Sequence, residues 1–430
     1  MNEDRLRKLL ADQTAPGEAE AMERGWRVAS TGFDESPAPP PRRAPGFGRL
    51  ATAGAAAFVL IGVAFTPPGE AVTDWIGDAI RPDAKTAPPP LRLPAEGRLL
   101  VNTAEGPWIV QPDGSKRLLG HYEDASWSPA GRFVVASRGR QLAAVEPGGR
   151  VRWTRDASQP VSGARWAPSG YRIAYLTGRR TGFEVPPPDD RADPRLITGP
   201  RQSLRVVAGD GTDDRRVASH VAEAAPAWRP GLAHVLAYAD LQGAVVVVNT
   251  DTGKRLWRER LGAPIRQLAW SADGQRLVAL TPMGVHIVDA QGRLLTAFPT
   301  PLLYPQPLPA YSRQVAFARR GHRFALIRAN PSGRGTRVVT LAAEHFPGRP
   351  RGAGRARPVF SAPGAITEVE WSPDGEWLLI AWTGADQWVF DRAAAGRDVR
   401  TVSGLADRFD AGSGPEMPSV SGWCCAVLER

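Results

Sequence analysis

Cysteine is nearly absent from this 430-residue chain: Cys424 and Cys425, neighbours near the C-terminus, are the two present. That count excludes a disulfide framework and any four-thiolate metal site, and leaves open either a bridge between the adjacent pair or two free thiols. Lysine occurs only at Lys8, Lys85, Lys116 and Lys254, so a net charge of +10 is carried by arginine. The arginines are dispersed among aspartates and glutamates instead of forming one stripe, which argues against a nucleic-acid partner. The six histidines show neither HExxH nor a paired metal spacing, no G-x-S-x-G elbow occurs, and the glycines fall in turns instead of a phosphate cradle. No cofactor is expected.

Long apolar runs are missing too, with one exception. From Phe47 to Phe65 the chain is apolar but for Arg49 near its start, and Pro67-Pro68 stops it. The length is near the lower limit for a membrane span, so residues 47–66 are expected to form a single transmembrane helix. Arg42, Arg43 and Arg49 precede it, while Glu70, Asp74 and Asp78 follow. The positive-inside rule therefore places residues 1–46 in the cytoplasm and everything after the span outside. Within residues 1–46, Met22, Trp26, Ala29 and Phe33 recur at helical spacing, as a docking helix for a cytoplasmic protein would. Residues 67–94, ending in a Pro-rich stretch, read as an extracytoplasmic stalk.

From residue 95 to 430 the pattern is short strands in repeat. Trp371-Ser-Pro-Asp-Gly375 precedes the apolar run Trp377–Trp382, and degraded copies begin at Trp127, Trp166, Trp228, Trp270 and Phe317. Proline sets the first corner of a tight turn, the aspartate caps nearby amides, and glycine takes the left-handed position. Seven second-strand copies align, starting at Arg98, Arg132, Arg172, His234, Arg276, Arg323 and Trp377. The first lacks a Trp-bearing strand before it; Ser419–Trp423 is such a strand with no hairpin after it. Ring closure reconciles the two, and it removes sheet edges that would otherwise template aggregation.

The W-S-P-D-G hairpin followed by an apolar strand and a D-x-x-G turn resembles the TolB-type, WD-repeat-like β-propeller over roughly Leu91 to Trp423. The whole arrangement resembles single-pass, membrane-anchored envelope proteins of high-GC bacteria. The expected fold class is all-β: a seven-bladed β-propeller whose C-terminal strand closes the first blade, preceded by a short helical cytoplasmic segment and one transmembrane helix.

Since the hairpins join first to second strands, the stalk enters on the same rim as those turns. The opposite, distal rim then carries the insertion Gly178–Arg201, the segment Pro299–Tyr311 and the closing loop Gly404–Pro418, and loops of this kind bind ligands. Candidate binding residues are Asp189, Asp190, Tyr304 and Tyr311 there, with Trp26 and Phe33 on the docking helix. The repeat tryptophans are expected to pack between blades, and Trp153 and Trp257 to pack on outer strands. The Arg-rich stretch Arg349–Arg357 falls on the entry rim, where anionic lipid is within reach. Glu368 and Glu370 are the paired carboxylates of an inner strand. The function expected is a non-catalytic, membrane-tethered extracytoplasmic module binding an envelope protein or glycan. The alternatives are a transmembrane regulator, similar in size and position of its head to anti-sigma factors but lacking their zinc motif, and a glycan-processing propeller enzyme using Glu368 and Glu370.

Overall fold

Second strands that read as unbroken apolar runs need cover on both faces, and a ring of radially packed sheets supplies it. The computed structural model describes residues 91–178, 202–299, 314–330, 335–343, 356–392, 398–409 and 417–425. Among them lie seven antiparallel four-stranded sheets. The inner strands are β4 (Asp124–Trp127), β8 (Val161–Trp166), β12 (Ala227–Trp228), β16 (Gln267–Trp270), β20 (Val315–Phe317), β24 (Ile366–Trp371) and β28 (Ser419–Cys424). Each neighbours the next in that order, and β28 returns to β4, which closes the ring. The second strands are β1 (Arg98–Asn102), β5 (Val134–Arg138), β9 (Arg172–Thr177), β13 (Val235–Ala239), β17 (Arg276–Thr281), β21 (Arg323–Ala329) and β25 (Trp377–Trp382). All seven expected copies occupy that place. β5 begins two residues later than its sequence pattern, at Val134, after Phe133, whose N–H is bonded to the Ser128 hydroxyl at 3.0 Å.

Closure follows the expected route. The C-terminal β28 pairs with β1, Leu99 opposite Trp423, in the sheet completed by β2 (Pro107–Val110) and β3 (Lys116–Leu118). The hydrophobic core is accordingly divided into seven wedges, each between two neighbouring blades. The hairpin motif works as its residues imply. The Ser372 hydroxyl bonds Asp374 and accepts the Trp377 N–H at 2.9 Å, while Asp374 accepts the Glu376 N–H. Gly375 takes φ +75°, a left-handed value that side chains resist.

Tryptophans join blades in two ways. The buried indoles of Trp228 and Trp371 donate to carbonyls of the preceding inner strand, those of Arg165 at 2.9 Å and Ala316 at 3.0 Å. On the outside, Trp153 and Trp257 donate to Gly209 and Ala290 in the next blade's turn. Their rings lie so close that a Cβ on Gly211 or Gly292 would come within 2.9 or 2.7 Å of them. Arginine supplies a third kind of tie. Arg98 lies 4.9 Å from the Trp127 ring and donates to Gly131 O; Arg229 lies 5.3 Å from the Trp270 ring and donates to Gly274 O.

One element differs from expectation. The closing loop contains a short helix, α1 (Leu405–Phe409), which buries Leu405 and Phe409 on one face. The Phe409 ring lies 5.6 Å from that of Trp388 and 6.1 Å from that of Trp108. A single turn is too short to register as periodicity. No helix among the described residues is long and apolar enough to cross a membrane. The expected segments 1–46 and 47–66, and residues 67–90 of the stalk, lie outside the described residues.

Trp371→Ala removes a fully buried indole and its hydrogen bond, and should destabilise the ring by about 3–5 kcal/mol. Met283→Ser, at a side chain 72% exposed, should shift stability by less than about 0.5 kcal/mol. Urea denaturation followed by tryptophan fluorescence distinguishes them.

Candidate functional site

A propeller offers its axis and its rims, and here the axis is lined by the inner strands. Three of those strands carry a polar side chain three residues before the repeat tryptophan: Asp124, Gln267 and Glu368. Each reaches the following blade at the same repeat position. Asp124 accepts the Gly163 N–H at 3.2 Å; Gln267 accepts those of Gln314 and Val315 at 3.0 and 3.1 Å and donates to Val315 O at 2.7 Å. Glu368 accepts the Val420 N–H at 2.5 Å and the Ser419 hydroxyl at 2.6 Å. An amide that points along the ring has no ladder partner, so a side-chain acceptor from the neighbouring blade satisfies it. Glu368 thus fastens the closing strand.

Glu370 lies on the same face of β24 as Glu368 and is also buried, with Arg319 3.5 Å away. The Arg319 guanidinium donates to Trp423 O at 2.6 Å. Around this pair, on the rim of the W-S-P-D-G turns, is a cavity of about 360 Å³. Trp127, Trp423 and the two cysteines line it. The sulfurs of Cys424 and Cys425 adjoin one another, as the bridged alternative requires. The buried indole N–H groups of Trp127 and Trp423 have no hydrogen-bond partner among the described residues. The chemistry on offer is a guanidinium, aromatic edges and two adjacent sulfurs, with both carboxylates engaged by protein groups.

Two further sites carry shifted protonation. Arg155, Arg205 and Tyr175 converge on Asp214 where two blades meet, with Arg205 at 2.9 Å and the Tyr175 hydroxyl at 2.7 Å. Burial opposes the Asp214 charge, but the bonds from Arg205 and Tyr175 outweigh it and hold the carboxyl below its ordinary range. Burial and the Asp214 bond push the Tyr175 phenol up to about 12. Asp391 is the opposite case: on β26 (Gln387–Arg392), burial pushes its carboxyl up to about 6, with Arg357 only partly offsetting.

The distal rim was the expected place for a ligand. The loop ends support that geometry, since β9, β19 (Leu294–Pro299) and β27 (Val399–Ser403) all finish on the rim opposite the hairpins. Trp26, Phe33, Asp189, Asp190, Tyr304 and Tyr311 all lie outside the described residues, so the structure neither joins nor separates them. The inner-strand position three before tryptophan was missed as a class, although the repeat alignment contains it. Only the pairing of neighbouring blades shows that its side chains point at one another's backbones.

No family model matches this chain, and no curated protein matches it. Among solved structures, it is similar to the hydrazine synthase of Kuenenia stuttgartiensis, at 13% identity over 62% of this chain and 75% of that one, with a TM-score of 0.42. It is also similar to the β-propeller domain of Cps50 (Swd1) from Myceliophteria thermophila, at 15% identity over 73% and 98% of the two chains, with a TM-score of 0.45. At these values neither likeness bears on function, and the propeller assignment stands on the seven sheets and their closure.

Glu368→Ala leaves buried donors on Ser419 and Val420 unmatched and should cost about 2–3 kcal/mol, whereas Glu368→Gln should retain much of the stability. Both are read by thermal and urea unfolding. Asp391 predicts a pH effect of definite sign. Its folded-state pKa is raised, so the folded form holds its proton more tightly than the unfolded one, and stability falls as pH rises from about 4 through 6. Asp391→Asn should stabilise at pH 7 by on the order of 1 kcal/mol, allowing for partial solvent access. That gain should vanish below about pH 4, as a pH series of urea midpoints would show.

Proposed function

We propose that the protein is a non-catalytic binding module: a propeller tethered to a membrane through residues 47–66, held outside the cytoplasm, that takes an envelope protein or glycan on its distal rim. Residues 1–46 would supply a docking helix for a cytoplasmic protein. The observation that carries this reading is the engagement of Glu368 and Glu370. The carboxylate pair that a glycan-cleaving propeller would need is bound up in strand closure and with Arg319. A general acid or base must be able to reach a substrate proton, and Glu368 spends both oxygens on the closing strand.

The axis therefore acts as a rigid hub that presents loops. Three long connections leave the ends of β9, β19 and β27 on one rim, and loops carried by a rigid scaffold are the usual place for recognition. The apolar run at 47–65 and the charge asymmetry of its flanks support the tether and its direction.

Affinity capture from native membranes tests the reading, comparing the full chain with a form lacking residues 1–46 and with Trp26→Ala. Envelope components should be recovered with all three forms, and a cytoplasmic protein only with the intact head. Loss of the envelope components on removing the head would overturn the assignment of binding to the ring. Hydrolysis of wall polymers by the full chain, abolished by Glu368→Gln in a protein that still folds, would overturn the non-catalytic reading.

A further inference from the structure

The arginines that are scattered along the sequence are gathered by the repeat. Every outer strand starts on the rim of the hairpin turns, because it follows a third strand that returns there. The outer strands are β3, β7 (Val151–Asp156), β11 (Arg215–Val221), β15 (Arg255–Arg260), β19, β23 (Arg357–Ala362) and β27. Within one residue of its start, each of the seven carries an exposed basic residue. Lys116, Arg152, Arg216 and Arg255 do so in the first four blades, and Arg293, Arg357 and Arg400 in the last three. Within one residue of the far ends of the same strands, three of the seven carry a basic residue, Arg117, Arg155 and Arg260. The asymmetry therefore runs along the strands and belongs to one rim.

Exposed apolar side chains share these starts. Val151, Leu256, Leu294 and Val399 are each 45% exposed, and each is next in sequence to one of the basic residues. Tyr171, 53% exposed, stands in a hairpin turn of the same rim. Basic residues interleaved with aliphatic and aromatic ones, around the edge of one face, match the boundary between phosphate headgroups and acyl chains. A polyanion alone would not call for the aliphatic members. The chain itself enters the ring on this rim, at Leu91, only residues 66–90 after the apolar run.

We propose that the entry rim is a docking face for an anionic phospholipid bilayer. Arg216 and Arg255 lead the contact with headgroup phosphates, since Lys116 lies over the Trp108 and Phe409 rings and Arg152, Arg293 and Arg400 share their charge with Glu146, Asp289 and Asp398, and Val151, Leu256, Leu294 and Val399 sit at headgroup depth. This rests on the tether that brings the rim to a membrane. It leaves the distal rim open to an envelope partner, and it turns a flexible leash into a fixed orientation.

Hydrogen–deuterium exchange of the full chain tests it, in vesicles of equal parts phosphatidylglycerol and phosphatidylcholine and in phosphatidylcholine alone. Amides of residues 149–153 and 252–257 should exchange more slowly in the anionic vesicles only, while those of 240–244 and 281–285 on the distal rim are unchanged. Each basic side chain held at such a surface multiplies the docked population by about fivefold, so Arg216→Glu with Arg255→Glu should lower the protection by more than about tenfold. Leu256→Ser should lower it without changing net charge, and unfolding midpoints show that the variants remain folded. Equal exchange in the two lipids would overturn docking, as would equal protection by heparin without lipid. Alkaline carbonate extraction of the same vesicles reads the tether separately. Release of the chain there, with lipid-specific protection retained, removes the anchor and keeps the docking face.

Discussion

A ring of blades depends on the joint between its last strand and its first. Here β28 must pair with β1 across more than three hundred residues of chain. Glu368 supplies the acceptor for the inward Val420 N–H and for the Ser419 hydroxyl. Trp423 fills the adjoining wedge against Phe390, with ring centroids 5.6 Å apart, and Arg319 holds the Trp423 carbonyl. Loop-closure entropy grows only slowly with length, so a modest set of well-satisfied contacts is enough to hold so long a loop.

The same need recurs at every junction and is met in three ways. Asp124 and Gln267 repeat the Glu368 device; Trp228 and Trp371 use an indole N–H; Arg98 and Arg229 use a guanidinium stacked on the next tryptophan. This variety explains why the repeat looks eroded in sequence yet is regular in space. A junction needs one inward polar tie and a filled wedge, and several residue types meet that need. Glu368 and Glu370 both have partners within the ring, which is what supports the non-catalytic reading proposed above.

Electrostatics divide the two rims. The hairpin rim collects the starts of the outer strands and with them a basic fringe; the distal rim collects the long connections. A face that meets a charged surface and a face that presents loops are compatible on one rigid ring. Such a ring transmits position well because its wedges are fully packed. On the proposed reading, the orientation of the loop-bearing rim would follow from how the opposite rim is seated.

The number of blades, the identity of the second strands, the ring closure and the packing role of the tryptophans were legible in the sequence. Each rests on local rules: a turn needs glycine and an aspartate cap, and a twice-covered strand needs an unbroken apolar run. Helix α1 escaped, being a single turn. The tie three residues before tryptophan and the basic fringe were also missed. Both are relations between residues about forty positions apart, which have no meaning until one blade is laid beside the next. The tertiary structure alone decided that Glu368 faces Val420 and that scattered arginines share a rim, because a repeat turns equivalent positions in sequence into neighbours in space.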